Sequence, residues 1–175
     1  VINRMGFNNP GVVGLLENLA RSRKDFRGVL GINIGKNFDT PNEEAIRDYL
    51  LCFEGVYAAA DYVTANLSSP NTKGLRDLQN AETCRDLIRQ LQAKRSELQT
   101  AQEGKYVPIV IKIAPDLSEE AIIALAGVFN ETGVDGVITT NTTIDRDAVA
   151  DHALAGEGGG LSGAPLSKKS TEVLR

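Results

Sequence analysis

Four short runs rich in Val, Ile and Gly punctuate the chain, and each gives way to a polar cluster. Gly28–Ile32 leads into Asn33-Ile34-Gly35-Lys36-Asn37, and Asp61–Ala65 into Asn66-Leu67-Ser68-Ser69-Pro70-Asn71-Thr72-Lys73-Gly74-Leu75-Arg76. Val107–Ile111 leads into Lys112-Ile113-Ala114-Pro115, and Gly136–Thr139 into Thr140-Asn141-Thr142-Thr143. Short β-rich runs bounded by such residues predict strands. The stretches between them repeat their apolar residues at helical spacing. Val12, Val13, Leu15, Leu16 and Leu19 predict a short first helix, and Ile46, Tyr49, Leu50, Phe53, Val56 and Tyr57 a second reaching about Ala60. Cys84, Leu87, Ile88, Leu91 and Leu98 mark a long third ending near Glu103-Gly104, and Ile122, Leu125, Val128 and Phe129 a fourth.

The punctuation refines these boundaries. Thr40 with Glu43 reads as a capping box, with Pro41 at the first helical position. Either Asp116 or Ser118 caps the fourth helix, and Gly133 stops it. A fifth helix begins near Ser167. Strands alternating with helices predict an α/β fold whose polar strand ends gather at the carboxyl ends of parallel strands, the active face of a β/α barrel. The strand ends at 33, 66, 112 and 140 are spaced by 33, 46 and 28 residues, too irregular for a solenoid. Four βα units make half of an eight-stranded barrel.

Composition narrows the function. The 175 residues are 42% hydrophobic and 24% charged, enough for a core, and the net charge of −4 without a Lys/Arg stripe argues against a nucleic-acid partner. Small metabolites remain. Cys52 and Cys84 lack metal-ligand spacing, fall in helical patterns and read as reduced, buried or half-buried thiols of a cytoplasmic protein. No metal site is expected. The absence of a long apolar run and of a signal peptide predicts that the chain itself is soluble. It starts without an initiator Met, as if it were the middle of something longer.

The loop after the second run carries the sharpest chemistry. Pro70 fixes its own φ and extends Ser69, while Gly74 permits a turn closed to other residues, so Ser69 and two Asn sit on a loop of restricted shape. With Lys73 and Arg76 after it, that loop suits a polar planar ligand; a solvated turn is the plainer alternative. Asn3 and Arg4 read equally well as surface polars. The tail Gly156–Leu166 offers amides to a ligand or phosphate, or serves as a flexible linker.

Taken in order, INRMGFNN, GINIGKN, NLSSPNTKGLR, VIKIAPDLS, TTNTTIDR and GGLSGAPL resemble the dihydroorotate dehydrogenases, flavin enzymes of pyrimidine synthesis. The resemblance spans essentially the whole chain. Ser69, where the soluble classes carry Cys, points to the quinone-using class, and Asn71 speaks against a related flavin enzyme of pyrimidine breakdown.

The resemblance implies a (β/α)8 barrel, of which this chain is a partial, FMN-binding domain over residues 1–175 and about four central units. It implies that Ser69 takes a proton from C5 of dihydroorotate as hydride leaves C6 for FMN. Asn33, Asn66, Lys112, Thr140 and Gly163 match flavin-contacting positions. Asn3, Arg4, Met5, Gly6, Phe7, Asn66, Asn71, Asn141 and Thr142 match positions around the substrate. The residue types suit that work: the primary amides of Asn3, Asn66, Asn71 and Asn141 can answer alternating C=O and N–H groups of a pyrimidine edge, and Lys112 offers fixed positive charge as the flavin gains electrons. A serine hydroxyl is a poor base alone and needs a relay through water or a neighbouring hydroxyl.

The family's first and last barrel strands and its amino-terminal helical extension fall outside this chain. The resemblance therefore assigns quinone reduction, and peripheral attachment to the cytoplasmic side of a bacterial inner membrane, to the parent enzyme. The alternative for the chain itself is a non-catalytic half-barrel that is inactive alone and self-associates.

Overall fold

The computed structural model describes residues 1–24, 26–72 and 74–175. Lys73, named above as a possible ligand contact, lies outside the described residues. In chain order the elements are β1 (Ile2–Asn3), α1 (Gly11–Ser22), β2 (Gly31–Ile34), α2 (Ala45–Val56), β3 (Tyr62–Asn66), α3 (Ala81–Ala101), β4 (Ile109–Ile113), α4 (Glu119–Thr132), β5 (Gly136–Thr139), β6 (Gly160–Leu161) and α5 (Ala164–Leu174). Short 3₁₀ turns at Asn42–Glu44, Leu75–Gln79 and Asp147–Val149 complete the order.

Strands β2, β3, β4 and β5 form one parallel sheet in sequence order, so each helix between them is a crossover and the expected βα units are present. The register sorts their side chains. Asn33, Thr64, Val110 and Gly136 are aligned neighbours on one face, as are Asn66, Lys112 and Ile138; Ile34, Ala65 and Ile111 project from the other. That second face is buried under the helices with Tyr49, Phe53, Val56, Leu87, Ile88, Leu91, Leu125 and Val128, and it forms the core. The aromatic residues of α2 are core, as their spacing predicts. Truncating one such ring costs about 3–5 kcal/mol.

Local signals account for both ends of α4 and for the start of α3. Ser118, and not Asp116, caps α4: its hydroxyl accepts from the Ala121 N–H at 3.3 Å, and Gly133 ends the helix in the left-handed region at φ 62°. Asn80 caps α3 by accepting from Thr83 N–H at 2.9 Å.

The capping box proposed at Thr40 and Glu43 does not form. Pro41 is extended, a 3₁₀ turn follows it, and α2 starts at Ala45 without a side-chain cap. The Thr40 carbonyl instead accepts from the buried Lys36 ammonium at 2.5 Å, which holds this segment in a loop. Strand β3 stops at Asn66, where the polar cluster begins, as expected; β2 and β4 run one residue past the expected ends at 33 and 112, because ladder pairing continues through Ile34 and Ile113, and β5 stops at Thr139, one residue before 140. Helices α2 and α3 stop at Val56 and Ala101, short of their predicted ends, and α5 begins at Ala164, ahead of Ser167.

The glycine-rich tail is an element of structure. Gly160 and Leu161 pair antiparallel with Ile2 and Asn3, tying the tail to the first residues of the chain. A Cβ on Gly160 would lie 2.0 Å from Thr142 Oγ1 and one on Gly159 2.2 Å from the Asn3 carbonyl, so glycine is what lets this strand lie against the strand-end loops.

Candidate active site at the carboxyl ends of the strands

The loop leaving β3 is pinned to its own strand. Asn66 is 4% exposed, and its carboxamide oxygen accepts from the Ser68 N–H at 3.0 Å and the Ser68 hydroxyl at 2.8 Å. The Asn66 carbonyl accepts from the buried Tyr49 hydroxyl at 2.8 Å. Burial pushes that phenol far above its ordinary value, so it stays a neutral donor.

The loop leaving β5 meets this arrangement. Asn141 Nδ2 donates to Asn66 Oδ1 at 3.3 Å and to Ser68 Oγ at 3.0 Å, while its own oxygen accepts from Thr142 N at 2.8 Å. Thr140, beside Asn141, donates its hydroxyl to the Asn141 carbonyl at 2.9 Å. Ser69 is 8% exposed, and its hydroxyl accepts from the Asn71 N–H at 3.3 Å. Asn71 in turn reaches the Asn3 carbonyl at 3.2 Å. Residues 3, 66, 69, 71, 140, 141 and 142, spread over the whole chain, thus converge at one end of the sheet.

Lys112 is the register partner of Asn66 and stands on the face turned away from the helices. It is half-buried, makes no ion pair among the described residues, and desolvation lowers its pKa. Lys112 does not pair with Asp116, four residues on. Asp116 is held instead by Arg76 at 2.8 Å, Lys169 at 3.0 Å, the Ile144 N–H at 3.0 Å and the Thr143 hydroxyl. Burial alone would raise the Asp116 carboxyl; the Thr143, Lys169, Ile144 and Arg76 hydrogen bonds outweigh it and hold the group below the ordinary carboxylate value.

Other expected residues lie further out. Asn33 is exposed on the same face as Lys112 and lines a cleft of about 1190 Å³ with Arg4, Met5, Gly6, Phe7 and Asn71. Arg4 is drawn off to Glu157 at 2.7 Å, and Met5 is 72% exposed. Gly163 stands at the start of α5 with open space around its Cα. Arg76, read from the sequence as a possible ligand contact, has its guanidinium taken up within the fold by Ser68, Asp116 and Thr142. Sequence reasoning missed the part played by Ser68, Tyr49 and Lys169. A Ser next to a candidate catalytic Ser carries no signal of its own, and a Tyr or Lys in a helical pattern reads as core or solvent-facing.

The model for dihydroorotate dehydrogenases matches residues 1–175. This chain belongs to the dihydroorotate dehydrogenase family. It is 57% identical to the dihydroorotate dehydrogenase (quinone) of Flavobacterium lutescens and 59% identical to that of Xylella fastidiosa strain M12, in each case over all 175 residues and 49% of the relative's length. The names of these dihydroorotate dehydrogenases bear out the quinone class expected from the sequence.

Crystal structures of the Eimeria tenella enzyme, ligand-free and in complex with ferulenol, superpose with TM-scores of 0.87 and 0.88 at 41% identity. They cover 98% of this chain, which in turn covers 52% and 50% of theirs. The chain thus spans about half the length of the dihydroorotate dehydrogenases it matches, as four units of an eight-unit barrel would. No helix among the described residues is long and apolar enough to cross a membrane.

Proposed function

We propose that this chain is the central half of an FMN-dependent barrel that oxidises dihydroorotate to orotate in pyrimidine biosynthesis and passes the electrons to a quinone. The observation that carries this reading is the convergence of Ser69 with Asn3, Asn66, Asn71 and Asn141 at the carboxyl ends of parallel strands, in a chain of this family. The Ser69 hydroxyl takes the proton from C5. Hydride leaves C6, and the remaining electron pair closes the C5=C6 double bond. The proton moves on from Ser69 through water or a neighbouring hydroxyl, since the serine pKa alone makes it a weak base.

The four carboxamides and Thr142 hold the ring; among the described residues the Asn66 amide N–H groups and the Asn71 carboxamide oxygen are left over for it, since Asn66 Oδ1 and Asn141 Nδ2 are bonded within the site. Arg4 to Phe7, above Asn71, border the substrate side. FMN, when bound, supplies the hydride acceptor. Lys112, Asn33, Asn66, Thr140 and Gly163 are the residues that would hold it. The half-buried ammonium of Lys112, without an ion pair among the described residues and on the face opposite the helices, fits a group that gains negative charge.

Quinone reduction and attachment to the cytoplasmic face of a bacterial inner membrane are proposed for the full-length enzyme. The test is anaerobic: purified full-length enzyme is expected to be yellow, to bleach with dihydroorotate and to regain colour with a quinone. Enzyme that holds flavin but does not bleach would sink this reading. The second reading, a half-barrel inactive by itself, is favoured for the isolated chain by the open face of the sheet, where Gly31 and Asn33 are exposed and Val110, Lys112 and Ile138 only partly covered.

A further inference from the structure

One guanidinium joins three segments of the site. Arg76 lies in the 3₁₀ turn that follows Gly74, whose φ of 67° folds the chain back under the Ser69 loop. Its Nε donates to the Ser68 carbonyl at 3.3 Å, one Nη to the Thr142 carbonyl at 3.0 Å and the other to Asp116 at 2.8 Å. The Ser68 carbonyl belongs to the peptide that carries the Ser69 nitrogen, so its orientation sets where the Ser69 side chain leaves the backbone.

The Thr142 carbonyl lies on the loop that holds Asn141. Gln79 completes the attachment: its amide nitrogen donates to the Arg76 carbonyl at 3.4 Å, and its oxygen accepts from the Ala114 N–H, just past β4, at 2.7 Å. The cluster is electrically balanced, with Arg76 and Lys169 set against Asp116 and Asp145. Arg76 and Asp116 are 21% and 13% exposed in their side chains. Lys169 and Asp145 form the more exposed rim, and the sheltered Arg76–Asp116 pair, balanced among the described residues, has no net charge to offer a ligand, so its work is mechanical.

We propose that Arg76 is a positioning residue for proton removal at C5: it locks the Ser68–Ser69 peptide to the Asn141–Thr142 loop, and so fixes the distance and angle between the Ser69 hydroxyl and the ring the amides hold. The inference rests on the reading of Ser69 as the base. A planar fork reaches two carbonyls and a carboxylate in three directions; a lysine ammonium in its place keeps the charge and loses that geometry.

The experiment compares Arg76→Lys, Arg76→Gln and Ser69→Ala in the full-length enzyme. It measures anaerobic flavin bleaching, flavin content, quinone reoxidation, hydrogen exchange over residues 67–76, and deuterium effects at C5 and C6 of dihydroorotate. Arg76→Lys is expected to retain flavin and reoxidation, to slow bleaching about tenfold, and to increase exchange in the loop, since misplacing a reacting group by a fraction of an ångström has effects of this order. The C5 isotope effect should rise relative to the C6 effect, and Arg76→Gln should go further in the same direction.

Normal bleaching by Arg76→Lys, or a loss matched by lost flavin and lost reoxidation, overturns the positioning role. Ser69→Ala separates the two claims. If it bleaches normally, the base assignment is wrong and this inference falls with it; if it is slow while Arg76→Lys is normal, only the inference fails.

Discussion

The two ends of the parallel sheet use polar residues for opposite purposes. At the amino end, Asp61 stands before β3 and Asp135 before β5, and each reaches sideways to the start of the preceding strand: Asp61 accepts from the Leu30 N–H at 2.7 Å, and Asp135 from the Ile109 N–H at 2.8 Å. Their remaining capacity goes to Arg23 in one case and to Arg95 and Tyr106 in the other. Polar groups at this end are used up in closing strand starts. At the carboxyl end, Asn66, Ser68 and Asn141 bond one another, yet Lys112 has no ion pair among the described residues and Asn33 is exposed. Capacity left over on a preformed surface is what binding and catalysis require.

The difference predicts effects on turnover that fall in order. The largest belongs to the chain taken alone. Among the described residues the sheet has unpaired edges at β2 and β5 and a face without helices, so the isolated 175 residues are expected to self-associate, to bind FMN weakly or not at all, and to show no turnover. Size-exclusion chromatography beside a bleaching assay checks this, and a stable monomer with stoichiometric flavin and turnover would refute it.

Within the full-length enzyme, Ser69→Ala should slow flavin reduction by roughly 10² or more with FMN still bound, the size expected for losing a general base. Ser69→Cys should recover part of the rate with a pH profile moved towards the thiol range near ~8.5. Rapid mixing across pH reads both, and an unaltered rate in Ser69→Ala would take that residue out of the mechanism.

Lys112→Ala should weaken FMN binding by about tenfold and lower the flavin potential, as losing one charge-assisted contact would. Fluorescence titration and a redox titration measure the two. The pH dependence has a definite sign. Burial lowers the Lys112 pKa, so the flavin-free fold binds fewer protons there than the unfolded chain, and this residue makes stability rise as pH climbs through its folded value towards the ordinary one. Lys112→Met should flatten that rise in alkaline melting curves.

The smallest effect on turnover is expected at the amino end. Asp135→Asn should leave the bleaching rate of folded enzyme unchanged while costing about 1.5–3 kcal/mol of stability through weakened charged hydrogen bonds. Burial raises the Asp135 carboxyl, but the Ile109, Tyr106 and Arg95 contacts outweigh it and leave the group below its ordinary value. Its stabilisation is therefore complete above the ordinary carboxylate range and is lost as pH falls through the folded value; Asp135→Asn should remove that part of the acid transition. Slowed bleaching in Asp135→Asn would erase the contrast between the two ends.

Local periodicity and adjacency along the chain encode a large part of this fold. Alternating apolar runs and helical stripes specified four βα units, and the order of six motifs specified the family, because each lies within a few residues of chain. Gly133 and Ser118 marked helix ends legibly, since a left-handed C-cap and a hydroxyl N-cap are single-residue devices. The proposed box at Thr40 failed because Lys36, four residues earlier, captures the Thr40 carbonyl from a buried position that no local rule anticipates. The strand end at Asn66 was legible because the polar cluster begins there, whereas β4 runs one residue past Lys112 because its pairing with β5 continues through Ile113.

How the site residues are shared out follows from long-range packing. Arg76 and Asp116 look in sequence like a ligand contact and a helix cap, and in the fold they bond each other across 40 positions. The pairing of Ile2–Asn3 with Gly160–Leu161, which brings the first residues and the glycine-rich tail to the same loops, spans nearly the whole chain. Bonds between such distant residues depend on how the sheet stacks its strands and crossovers, and nothing near either partner in the sequence records them.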